Sequence, residues 1–440
     1  MIKKLNVSFG VILTSIALGL NFAPIFMAQC GGSWTVLILA CIGIFCIKYQ
    51  QNDIKFTFAI EQECSSNMLM LVCLIVYYTS VIIGALRWDF AWETESHVVK
   101  THVINLLGLV MGLFFVVNKQ YSRWAAYMSI PFLLLSTYWL NRYVSMTGES
   151  AKFALSEFEG AFGSSSNWQV FGMQVFIILG LLMDEKNIII KILGFLVLLL
   201  LYRSIFLCGF ATPIGLLIIA HGVLGVIFFF FSKTTRYSKI LKLIIPIPLV
   251  IGALYAFIAI GTMDENDKRF SDIQYRFKQF REDWRGGGYD YNAGQSRFEL
   301  INISIAAFKQ APIFGVGGVY PTSTKHTTGG HQSMFDFFGL YGVVGGGAYI
   351  LFIILCLKNS IVKYRRQQSW FAASQISVTV MFIIGGLVNP CWVGMPVTIL
   401  FFYGQPFMIS PAIESMWRRM MKSEQWQIGS KLQKGRYLSS

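Results

Sequence analysis

The sequence predicts an all-α, polytopic integral membrane protein. Three observations predict it. The 440 residues are 55% hydrophobic and only 13% charged, about half the ~25% charged share of a soluble domain. The mean hydropathy is +0.57. The apolar residues fall in long continuous runs, unlike the alternating strands of an outer-membrane barrel. With 38 Phe and only 11 Pro, the composition excludes an ordinary soluble enzyme and a disordered or collagen-like chain.

A bilayer core takes about 20 apolar residues per helix. The runs predict about 12 spans, near 8–28, 33–48, 67–86, 102–117, 124–141, 168–183, 188–204, 206–231, 239–261, 333–356, 373–388 and 392–410. The first run is too long for a cleavable signal peptide and lacks a small-residue cleavage site. The expected organisation is one transmembrane domain over 1–440. A long loop at 262–332 separates the ninth and tenth spans, and a basic tail occupies 411–440.

The net charge is +14, but the basic residues cluster at the ends of apolar runs. There they set topology, and no nucleic-acid partner is expected. If the N-terminus with Lys3 and Lys4 is cytoplasmic, the inner segments and tail collect 22 of the 36 Lys and Arg residues. The short outer loops then hold only Arg87, Lys100, Arg142 and Lys152. An even span count places both termini in the cytoplasm and the 262–332 loop outside. Long loops cross largely regardless of charge, and a loop of this length is where function is expected.

Within that loop, Phe270, Ile273, Phe277, Phe280 and Trp284 recur at spacings of three and four, with Arg276, Lys278, Arg281 and Arg285 between them. This is an amphipathic helix over 270–285, suited to the headgroup region. A packing helix without chemistry gives the same pattern. Gly286, Gly287 and Gly288 end it.

A second helix is expected from Ser296. Ser296-Arg297-Phe298-Glu299 has capping-box spacing, and Pro312 stops the helix after about Gln310. Arg297 stands in the first turn, where free N–H groups and the helix dipole attract an anion. Its guanidinium adds a bidentate grip on phosphate; pairing with Glu299 is the alternative. Gly315-Val316-Gly317-Gly318 follows, and its glycines permit tight turns and close backbone approach to a bound group. Neither nucleotide-binding glycine motif is present, so a soluble nucleotide fold is not expected.

His331 stands at the outer mouth of the next span, and Asp336 lies just inside it. A carboxylate there is costly and a functional candidate, with an interhelical ion pair as the alternative. Arg203, between the seventh and eighth spans, falls on the same expected face as Arg297 and His331. A shared anion site accounts for it, as does snorkelling to the headgroups. His97, His102 and His221 pair at no metal-ligand spacing. Asp264, Glu265 and Asp267 suit a solvated turn better than a metal site. The eight Cys residues form no C-x-x-C pair, and Cys30 and Cys391 read as unrelated thiols. No metal or cofactor is expected.

Three stretches together resemble the O-antigen polymerase and ligase superfamily. They are Ser296-Arg297-Phe298-Glu299-Leu300, Pro312-Ile313-Phe314-Gly315-Val316-Gly317, and Gly330-His331 with Gly342 downstream. The resemblance covers about 296–346, and Gly330-His331-Gln332-Ser333 with Asp336 is more similar to the Wzy-type polymerases than to the WaaL-type ligases. It implies a glycosyltransferase of the bacterial inner membrane, with an undecaprenyl-diphosphate-linked glycan as donor and a second lipid-linked repeat unit as acceptor. A chain-length regulator is a possible further partner. In that chemistry, Arg203 and Arg297 hold the diphosphate as negative charge develops on it. His331, with an ordinary pKa of about 6.5, is suited to act as general base. It can equally serve to position the acceptor. Asp336 assists. Arg276, Arg281 and Trp284 on the amphipathic helix, with Gly317 and Gly318 at the turn, contact the substrate. A ligase that transfers finished polymer to lipid A core shares this chemistry. A flippase or transporter is the rival of a different class, although no internal two-half repeat is evident.

Overall fold

The structure is a computed structural model. It describes residues 9–10, 12–17, 33–50, 65–87, 119–147, 165–207, 210–232, 251–252, 274, 297–317, 328, 333–389, 392, 397 and 400. Among these residues the regular structure is entirely helical. This follows from the composition, because in hydrocarbon a helix satisfies every backbone group within one segment.

The helices are α1 (Ser33–Gln50), α2 (Ser65–Arg87), α3 (Lys119–Thr147), α4 (Ser165–Asp184) and α5 (Ile188–Leu207). They continue with α6 (Ala211–Val226), extended by a π-helical turn at Ile227–Phe231, then α7 (Arg297–Gln310), α8 (Ser333–Gln367) and α9 (Trp370–Val388). Five apolar stretches among the described residues are long enough to cross a membrane: Asn67–Gly84, Ile188–Leu207, Ala211–Phe231, Ser333–Gln367 and Trp370–Val388. Trp168–Asp184 is apolar but shorter. The expected span near 102–117, most of those near 8–28, 239–261 and 392–410, and the 411–440 tail lie outside the described residues.

Helix α8 is central. It packs against α2 along its length, against α9, and against α7 near its start. Helix α9 also packs on α4 and α6, and α5 joins α4 to α3. Small residues permit the close approaches. A Cβ on Gly345 would meet Ser80 of α2, one on Gly180 would meet Ser374 of α9, and one on Gly194 would meet Leu182 of α4. Without a hydrophobic driving force in lipid, such contacts and interhelical hydrogen bonds hold the bundle. Asn359 supplies one, donating its Nδ2–H to Met70 Sδ at 3.1 Å. Around the first half of α8 lies an aromatic cluster. Tyr77 stacks on Tyr349 at 4.3 Å and on Phe337 at 5.7 Å, and Trp392 meets Phe337 edge-on at 5.9 Å.

The two ends of the bundle differ. At one, Asp184 at the close of α4 accepts hydrogen bonds from the Trp370 and Phe371 N–H groups, each at 3.0 Å. A carboxylate at the start of α9 is favoured by the free N–H groups and the helix dipole. Ser369 caps the same helix, accepting from Ala372 N–H at 3.1 Å. The short connections 185–187 and 368–369 therefore lie side by side. The π-turn closing α6 joins them, with Phe228 against Trp370 at 4.2 Å and the Arg365 guanidinium 5.9 Å from the Phe231 ring centre. Lys186, Lys191, Lys363, Arg365 and Arg366 belong to this end. The starts of α6 and α8 and the close of α5 and α9 belong to the opposite end.

Candidate functional site: an interrupted helix filled by a turn

The sequence predicts one continuous span from 333. The structure corrects this expectation: α8 is broken at Gly342, which has φ 63° and ψ −166°. Only glycine adopts that backbone without strain. The break has a physical cause in the preceding segment. After α7, the turn from Ala311 to Gly317 runs into the gap and exchanges backbone hydrogen bonds with it. Val316 N–H donates to Gly339 O at 2.9 Å and Gly317 N–H to Leu340 O at 3.0 Å. In return, Val343 N–H donates to Pro312 O at 2.9 Å and Val344 N–H to Ile313 O at 3.1 Å. Interrupting the helix orphans these carbonyls and amides, and the turn satisfies them, as buried backbone groups require.

The approach leaves no room for side chains at the crossing. A Cβ on Gly342 would overlap the Ile313 carbonyl, and a Cβ on Gly315 would overlap the Leu340 carbonyl. Gly315 (φ 74°) and Gly317 (φ 77°) also have left-handed backbone. Pro312 contributes no N–H and closes α7 at its expected place.

Helix α7 leads down to this turn alongside the first segment of α8. Its contacts advance in the same sense on both helices: Ser304 meets Asp336, Ala307 lies next to Gly339, and Ile313 reaches Gly342. Ser304 donates to Asp336 Oδ1 at 2.6 Å, and both residues are buried. The Ser304 hydroxyl also lies 3.2 Å from Leu300 O. It has one proton, and the shorter contact, to Asp336, takes it. Gly339 lets the Ser304 carbonyl and the Thr328 methyl approach together.

The start of α8 is fixed from its other side. Ser333 Oγ donates to Asn389 O at 3.3 Å and accepts from Trp392 N–H at 3.0 Å. Trp392 is held in turn by its Nε1–H to Phe382 O at 2.9 Å and by Tyr349 Oη–H to Trp392 O at 3.0 Å. Its indole fills the space that a side chain on Gly386 would occupy.

The candidate residues fall as follows. Arg297 is the first residue of α7, about 10 Å up the helix axis from Ser304 at 1.5 Å per residue; its side chain lies outside the described part. Asp336 is buried against α7. Gly317 is part of the turn, its N–H bonded to Leu340. Arg203 is exposed near the close of α5. It shares the bundle end of Ser333, on a helix that packs against α4 and α3, whereas α7 packs against α8. His331, Gly318, Arg276, Arg281 and Trp284 lie outside the described residues.

Two features escape the sequence reading. Ser304 carries no signal of its own, because a lone Ser in an apolar helix is common. The Gly342 break does carry one, in the three positive-φ glycines of Gly315-Val316-Gly317 and Gly342. Their mutual contact, however, is set by tertiary structure. His221 is a satisfied core histidine. Its Nδ1–H donates to Leu217 O at 2.8 Å, which leaves Nε2 to accept from the Tyr202 hydroxyl at 2.6 Å. Among the described residues, no three His, Cys, Asp or Glu side chains form a metal-binding group. No family model matches the chain, and no curated protein matches it.

Proposed function

We propose that the chain is a membrane glycosyltransferase that polymerises undecaprenyl-diphosphate-linked oligosaccharide repeat units. In this reading it is a multi-pass protein of the bacterial inner membrane. The basic bundle end and both termini face the cytoplasm, and the 262–332 loop faces the periplasm. The observation that carries the reading is the interlock at Gly342. The three stretches that resemble O-antigen polymerases are separate in sequence. The turn 312–317 and Gly342 meet in one structural unit, and the helix that begins with Arg297 leads into it.

The chemistry follows from charge and geometry. The donor is a sugar whose anomeric carbon bears a lipid diphosphate. As that C–O bond breaks, negative charge accumulates on the departing diphosphate. Guanidinium groups remain charged at any physiological pH and match phosphate geometry. Arg297 at a helix start, aided by Arg203, therefore stabilises the leaving group without a metal or cofactor. His331 takes the proton of the acceptor hydroxyl as its oxygen attacks the anomeric carbon from the opposite side. The bond to the acceptor forms as the bond to diphosphate breaks, and the configuration inverts. The aromatic and basic faces of 270–285, through Arg276, Arg281 and Trp284, hold the glycan. Gly317 and Gly318 bring backbone close to it. A chain-length regulator acts as a partner at the same membrane.

Reconstitution tests this reading. Single lipid-linked repeat units are extracted from a host lacking the chain and mixed with purified protein in detergent, where no membrane separates compartments. A ladder of longer glycans on lipid is the expected result. Unchanged single units would point instead to transport. Transfer only after addition of lipid A core would point to a ligase.

A further inference from the structure

We infer that Ser304 and Asp336 are positioning residues, whose hydrogen bond fixes where Arg297 stands relative to the start of α8. The inference rests on the glycosyltransferase reading for its functional consequence and on geometry for its mechanism. Helix α7 is attached to α8 at two levels. The lower attachment is the backbone exchange at Gly342, which holds the turn after Gln310. The upper one is Ser304 to Asp336 at 2.6 Å, with the Ser304 carbonyl against Gly339 beside it.

A rod held at two levels keeps its direction, whereas a rod held at one pivots. From Gln310 to Arg297 the α7 axis is about 20 Å long. A tilt of about 5° around the turn therefore moves Arg297 by about 2 Å, and a displacement of 1 Å at a reacting group can cost about 10²-fold in rate. Asp336 is fully buried and its Oδ1 already accepts the Ser304 proton. Its place in the fold suits holding a helix rather than exchanging protons with a sugar hydroxyl. The start of α8 is itself immobilised through Ser333, Asn389 and Trp392, so it offers a fixed reference for α7.

The test uses full-length protein in detergent, spin-labelled at Asn302 on α7 and Ile354 on α8, both exposed. Distance distributions are measured alongside elongation of extracted single repeat units. Ser304→Ala and Asp336→Ala are expected to broaden or shift the distribution and to lower kcat by about 10²-fold, with KM changed less. Asp336→Asn retains an oxygen that accepts from Ser304. It is expected to keep the native distribution and to stay within about fivefold of native kcat. The inference is overturned if Ser304→Ala and Asp336→Ala leave distance and turnover unchanged. It is also overturned if Asp336→Asn keeps the native distance yet loses turnover as fully as Asp336→Ala, which would make Asp336 a chemical participant. If native protein elongates nothing while the Ala variants still shift the distance, the glycosyltransferase reading fails and the clamp stands. If Asp336→Ala does not fold, Ser304→Ala and Asp336→Asn decide the matter.

Discussion

The backbone carbonyl of Ile313 accepts the Val344 N–H at 3.1 Å and occupies the place where a side chain on Gly342 would begin. The helix break and the turn that fills it are thus one device. Each supplies the hydrogen-bonding groups the other lacks.

Gly342→Ala should be strongly destabilising. A backbone at φ 63° and ψ −166°, a region populated almost only by glycine, costs an alanine about 1–3 kcal/mol, and the Ile313 carbonyl must also move. Gly215→Ala is the control, since its Cβ would meet nothing and its φ is ordinary. Thermal unfolding in detergent should show a clear loss for the first variant and little change for the second.

Asp184→Ala removes both side-chain acceptors at the Trp370 and Phe371 amides. Loss of such a cap typically costs about 1 kcal/mol. The expected result is a lower midpoint of unfolding, with Asp184→Asn intermediate because one oxygen remains. Equal stability of all three proteins would show that the carboxylate does not support α9.

Tyr202→Phe leaves His221 Nε2 without its donor inside the bundle. Interhelical hydrogen bonds in membranes average about 0.6 kcal/mol, with a maximum near 1.7. A loss in that range is expected. Because Tyr202 precedes Arg203, a change in KM for lipid-linked substrate should accompany it if the close of α5 borders the site.

Arg297→Ala should lower elongation by on the order of 10²–10³-fold, the loss seen when one group stabilising developing charge is removed, and His331→Ala by on the order of 10²–10⁴-fold, the usual contribution of a general base. Membrane insertion and yield should be unaffected. Arg297→Lys should recover only part of the rate, because an ammonium cannot bind phosphate in bidentate fashion. Native rates in any Ala variant remove that residue from the mechanism.

Local signals in the sequence anticipate much of this architecture. Hydropathy predicts α2, α5, α8 and α9 as spans to within a few residues at most ends. The basic end of α8 runs well past its predicted limit. The Ser296–Glu299 capping box and Pro312 bracket α7 at Arg297–Gln310. Polar flanks hide the full length of α3, whose apolar window of 124–141 sits inside a helix running from Lys119 to Thr147. The pairing of Ser304 with Asp336 spans 32 residues and leaves no periodic trace. Glycine is equally ambiguous. Gly345 serves close helix packing and Gly342 serves a break, and only the position of Ile313 separates the two uses. Arg203 and Arg297 share an expected face in the sequence, while the helices that carry them pack against different neighbours.

In the proposed topology, α7, its turn and the start of α8 work on the face opposite the basic bundle end. The most direct measurement is thiol labelling of intact cells with a membrane-impermeant maleimide, in a cysteine-free background. Asn302→Cys on α7 and Lys363→Cys at the basic end report the two faces. Labelling at 302 from outside the inner membrane, and at 363 only after lysis, is the expected result. Labelling at 363 in intact cells with protection at 302 would contradict it.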